Sequence, residues 1–86
     1  ELPFPYTIIF DTADVPGSTG LVTTAIGNTG INIDTVGHNM HSGEAAVFAV
    51  LTMPCTRISI DRAIEDIRSS RPGVFRREPK IYPVLY

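Results

Sequence analysis

Asp14-Val15-Pro16-Gly17-Ser18-Thr19 is the stretch on which the fold turns. It follows Tyr6-Thr7-Ile8-Ile9-Phe10, a β-branched and aromatic run between Pro5 and Asp11 that predicts a strand. It leads into Ser18 to Ile26, where Leu21, Val22, Ala25 and Ile26 recur at spacings that share one face of a short helix. A strand that turns sharply into a hydroxyl-rich helix start offers backbone N–H groups and a positive dipole end, a setting for a small carboxylate. Pro16 suits that turn or the first helical positions. Gly27 and Gly30 are expected to supply the positive backbone angles that stop the helix.

Outward from there, Ile31, Ile33 and Val36 alternate in part with Asn32, Asp34 and Thr35, predicting a half-exposed strand that ends near Met40. Ser42-Gly43 turns the chain back into Ala45 to Leu51, a nearly continuous apolar run that Pro54 closes. This run is the expected central strand. Ile60, Ala63, Ile64 and Ile67 then keep helical spacing, with Asp61, Arg62, Glu65, Asp66 and Arg68 on the other face, until Pro72-Gly73. Lys80 to Leu85 gives a last strand whose Pro83 points to an edge or an end. The order is strand, helix, strand, strand, helix, strand. With right-handed crossovers it predicts an α+β ferredoxin-like sandwich, a four-stranded antiparallel sheet with both helices on one face. The bare sheet face must be wet, bind something flat, or meet another copy.

Composition narrows the function. The 86 residues, 43% hydrophobic, make one domain near the size where burial is marginal, so a partner surface is expected to add burial. A formal net charge of −2 without a basic run gives no pull toward nucleic acid or anionic membranes. No apolar run approaches the roughly 20 residues that cross a bilayer. Cys55 is the single cysteine, so an internal disulfide is excluded and a reducing, cytoplasmic setting is expected. The chain opens at Glu1 without an initiator methionine, which suggests a regulatory module taken from a longer enzyme.

Asp14-Val15-Pro16-Gly17 and Gly30-Ile31-Asn32-Ile33 resemble the D-x-P-G turn and the G-I-N-I strand entry of ACT domains, the amino-acid-sensing family. The likeness runs from about Tyr6 to Leu85. Thr29 to Val36 with the apolar third strand is most similar to the C-terminal domain of homoserine dehydrogenases. The resemblance implies effector sensing rather than catalysis, with residues 1–86 as one regulatory domain of an amino-acid-biosynthesis enzyme. It implies pairing of two ACT domains, side by side or face to face. An amino acid then binds where the first turn of one domain meets the second-strand start of another. Pro16, Gly30 and Ile31 enter the expected site through these motifs. No cofactor is implied for this domain, and NAD or NADP is implied for the parent enzyme.

Residue chemistry agrees. A free amino acid needs amide donors for its carboxylate and an acceptor for its ammonium. The amides around Gly17, Ser18 and Thr19 suit the first, and Asn32 and Asp14 suit the second. Ser18, Thr19 and Asn28 are placed to read a side-chain hydroxyl, which favours threonine or serine as ligand. Against this, Asp14, Ser18 and Thr19 are ordinary cap and turn residues, a cap being worth about 1 kcal/mol. Gly17, Gly27 and Gly30 have a purely conformational use as well, and Asn32 one in closing its turn.

Elsewhere the signals are thinner. His38 and His41, three apart in a strand, fall on opposite faces, so a shared metal requires a turn beginning by Met40. Cys55 has no nearby His and reads as an idle or buried thiol. Arg76-Arg77-Glu78 reads as a solvated loop, or as charges that meet a neighbouring subunit. Two other classes share the fold. One is a ferredoxin-like interaction or RNA-recognition-type module with a purely structural or dimerising role; RNA recognition would use Tyr6, Phe10 and Phe48 as exposed stacking rings, but the basic surroundings are lacking. A small enzyme of acylphosphatase type would need an arginine after the first strand, and Asp11 to Thr19 holds no Arg or Lys.

Overall fold

The computed structural model describes residues 2–13, 17–42 and 45–84, with the backbone alone for 38–42 and 45. Six elements follow in the expected order: β1 (Tyr6–Ala13), α1 (Ser18–Asn28), β2 (Ile33–Ser42), β3 (Ala45–Thr52), α2 (Arg57–Ser70) and β4 (Lys80–Pro83). The sheet order is β2-β3-β1-β4 and every pairing is antiparallel. β1 and β3 are therefore central and β2 and β4 are edges, as the Pro83 and Ala45–Leu51 readings required. Pro83 is the last residue of β4, opposite Tyr6.

Alternation along the two central strands sends Ile8, Phe10, Phe48 and Val50 to one face, where they are buried with the helix residues Val22, Ile26, Ile60, Ala63, Ile64 and Ile67. Phe10 stacks on Phe48 at 5.4 Å between centroids and on Phe75 at 5.9 Å. The opposite face presents the register neighbours Ile9 and Ala49, Asp11 and Val47, and Thr7 and Leu51, all half-buried. No helix of the described residues is long and apolar enough to cross a membrane.

Several boundaries move, each for a physical reason. Gly27 does not stop α1: it lies inside the helix, and positive φ falls on Gly17, Gly30 and Gly73 among the described residues. The chain leaves α1 through a bond from Gly30 N to Gly27 O at 3.0 Å, with Gly30 at φ 86°. β2 begins at Ile33 rather than Ile31, because Ile31 is drawn into the core at 3% exposure. β1 runs on past Asp11 because Ala13 N donates to Val74 O (3.0 Å) and Arg76 N to Asp11 O (2.8 Å), so the loop after α2 covers its end. β2 continues through Ser42 with no turn at Met40, and its register shifts between His38 and Met40. In that register His38 lies opposite Phe48 and His41 opposite Ala46.

Cys55 has a structural setting. Paired bonds of 2.9 Å join its backbone to Phe4, and its Sγ lies 3.5 Å from Thr52 Oγ1, which accepts from Tyr6 N at 3.0 Å. These contacts tie the N-terminal segment to the end of β3.

Candidate functional site

α1 starts behind Gly17, which occupies the cap position in the left-handed region (φ 87°, ψ −2°) and, among the described residues, is joined by no side-chain cap bond. Its carbonyl accepts the first helical bond, from Leu21 N at 2.8 Å. The amides of Ser18, Thr19 and Gly20 therefore have no acceptor within the helix and point out of its end with the dipole. Gly17 is exposed, and nothing lies within 4 Å of where a Cβ would stand. Glycine takes this φ without the strain a side chain would bring.

The hydroxyls do less than the sequence suggested. Ser18 is 3% exposed and its Oγ donates to Ala13 O at 3.0 Å, so it fastens the helix to the end of β1 and cannot read a ligand. Thr19 is half-buried at the first turn, and its carbonyl accepts from Thr23 Oγ1 at 3.0 Å. Asp14 and Pro16 lie outside the described residues. Asn28 stands at the far end of α1, in a groove of about 330 Å³ between the helices that also holds Thr24, Asp66 and Ser69. It does not meet Thr19.

Gly30, Ile31 and Asn32 are at that far end too. Ile31 is core, so only its backbone is available to a ligand. Asn32 is exposed, and its carbonyl accepts from Met53 N at 2.9 Å, which anchors the entry to β2 while leaving the side chain outward. The 11 residues of α1 put about 16 Å between the Gly17 and Asn32 regions at 1.5 Å per residue. One copy therefore does not bring the two halves of the expected site together.

The sheet order fixes where these two regions lie relative to the strand edges. β1 and β2 run in the same direction, so the end of β2 lies at the end of the sheet where α1 starts. β4 is a four-residue edge that carries Lys80 and Pro83, features that discourage pairing. β2 has ten residues and neither Lys nor Pro. Antiparallel pairing of two β2 edges about a two-fold axis sets the Asn32 end of one copy against the Gly17 end of the other.

Two groups outside the expected site stand out. Arg76 and Arg77 are not a free loop, since Arg76 Nη1 and Arg77 Nε each lie 3.6 Å from the carboxylate of Asp11. Their convergence is non-local, and the hint in the sequence was an acid at the end of an apolar strand. Among the described residues, no group of three or more His, Cys, Asp or Glu side chains is placed to hold a metal ion. Phe10 and Phe48 are fully buried, which removes the stacking platform an RNA-recognition module requires.

No protein-family model matches the sequence, and no curated protein does. Solved structures do. A homoserine dehydrogenase from Thiobacillus denitrificans superposes with a TM-score of 0.75 at 15% identity, over 93% of this chain and 17% of that one. The regulatory subunit of aspartate kinase from Thermus thermophilus, in its ligand-free form, gives 0.71 at 17% identity, over 96% of this chain and 52% of the other. The ACT domain of GTP pyrophosphokinase from Chlorobium tepidum gives 0.67 at 18% identity, over 95% and 99%. This chain thus spans about a sixth of the dehydrogenase and about half of the kinase subunit. At these identities the likeness is one of fold, and the βαββαβ sandwich described above is the fold of ACT domains.

Proposed function

We propose that this chain is an amino-acid-sensing regulatory domain that works as a pair. The start of α1 in one copy takes the ligand carboxylate on the Ser18 and Thr19 amides. Asn32 at the β2 entry of the second copy takes the ammonium. Thr19 is the hydroxyl left to read a small polar side chain, which keeps threonine or serine as the preferred ligand. The observation that carries this reading is the α1 terminus, where Gly17 stands at φ 87°, no described side chain makes a cap bond and nothing described lies within 4 Å of where a Gly17 Cβ would stand. The likeness in fold to ACT-bearing enzymes of amino-acid metabolism supports it.

The proposal extends to the host. Residues 1–86 serve as one domain of a cytoplasmic enzyme, homoserine dehydrogenase being favoured, where NAD or NADP belongs to the catalytic part and none to this domain. Ligand bound between two copies favours one mutual orientation, and the attached enzyme feels that bias as a coupling of about 1–3 kcal/mol. Isothermal titration against a panel of amino acids tests the site. Heat with threonine or serine that Asn32→Ala removes is expected; no heat with any amino acid overturns the reading.

A further inference from the structure

Asp11 sits near the end of β1 on the sheet face opposite the helices, and its side chain is 19% exposed. A carboxylate withdrawn from water to this degree needs compensating charge. Two consecutive residues supply it, Arg76 and Arg77. In a regular strand consecutive side chains point to opposite faces, so both reach one carboxylate only because the chain is irregular between the Phe75 bridge and β4. Both contacts are 3.6 Å, and Asp11 Oδ1 has no hydrogen-bond donor among the described residues. The side chains therefore add charge attraction to the backbone bonds that already join this segment to β1, from Arg76 N to Asp11 O and from Ala13 N to Val74 O. Lys80 and Glu78 line the same small cleft, and Glu78 is itself paired with Arg68 of α2, which also packs over the Phe75 ring at 5.5 Å.

The segment so held is wired to the candidate site. Val74 O accepts from Ala13 N, and Ala13 O accepts from Ser18 Oγ, so one peptide separates the loop from the first turn of α1. We propose that Asp11 is a positioning residue: with Arg76 and Arg77 it forms a salt-sensitive latch that clamps Val74–Arg77 to β1 and thereby sets the turn carrying Gly17 and Ser18. Its consequence for ligand affinity rests on the amino-acid site proposed above.

Amide hydrogen exchange of the whole chain, read residue by residue by NMR, tests the latch in the wild type, Asp11→Asn and Asp11→Glu. Asp11→Asn is expected to speed exchange at the Ala13, Arg76 and Leu21 amides by about fivefold, the scale of a partly exposed ion pair, with Ile64 and Ile67 of α2 unchanged. Asp11→Glu is expected to recover part of the loss, and added salt to loosen the same amides in the wild type and, less, in Asp11→Glu, but not in Asp11→Asn. Unchanged exchange at Ala13 and Arg76, or equal acceleration throughout the chain, overturns the latch. Threonine and serine titrations on the same samples separate the two ideas. If the wild type binds neither, the choice of threonine or serine fails while the exchange rates still decide the latch. If Asp11→Asn loosens the amides yet binds with wild-type affinity, the link from latch to site is overturned.

Discussion

The two helices begin in opposite ways. α2 starts behind Thr56, whose Oγ1 accepts from Ser59 N at 3.2 Å while Ser59 Oγ donates to Thr56 O at 2.6 Å, a closed arrangement in which side chains satisfy the terminus. α1 starts behind Gly17 with no described side chain bonded to its amides, and its one buried hydroxyl, Ser18, donates to Ala13 O. The hydroxyl stands at the cap position in α2 and one residue inside the helix in α1. One closes its own terminus; the other fastens the helix to the end of β1. A glycine cap in place of a hydroxyl forgoes only about a few tenths of a kcal/mol, so a Gly17 start for α1 costs the fold little.

Gly17→Leu is the strongest way to break the contrast. A side chain at φ 87° costs about 1–2 kcal/mol and also covers the amides, so urea denaturation should show that loss and titration should show no amino-acid binding. Thr56→Ala should cost about 1 kcal/mol in the same denaturation and leave ligand affinity untouched, because the α2 cap serves only the fold. Ser18→Ala removes the bond to Ala13 O and should cost about 0.5–1.5 kcal/mol with little change in ligand choice, because that hydroxyl is already committed. Asn32→Ala should stay within about 0.5 kcal/mol of wild-type stability, since its side chain is exposed. Its affinity should nonetheless fall roughly tenfold or more, the scale of one hydrogen bond to a charged group.

How much of this was legible follows from the range of each interaction. The β3 run, the 3.6-residue period of α2 and the edge position signalled by Pro83 are local patterns, and all three stand as read. The end of β1 was not legible, because Asp11 resembles a turn residue until Arg76 and Arg77 arrive from far along the chain. Gly27 was misread since a glycine inside a helix and one that ends it look alike in sequence, and only Gly30 takes the positive φ. The register shift between His38 and Met40 depends on β3, the partner strand of β2. For the site, residue types were legible but their assembly was not. Gly17 and Asn32 sit at opposite ends of α1, and the β2 edge that the proposed pairing uses becomes visible only once the sheet order is known.

The two-copy site is tested most directly by mixing variants. Gly17→Leu and Asn32→Ala each damage both sites of a symmetric pair, but a mixed pair keeps one intact site, made from Gly17 of the Asn32→Ala copy and Asn32 of the other. Titration of an equimolar mixture with the amino acid that the wild type binds should recover wild-type affinity in about a quarter of the sites, as random exchange between pairs requires. A mixture that binds no better than the separate variants would contradict the shared site.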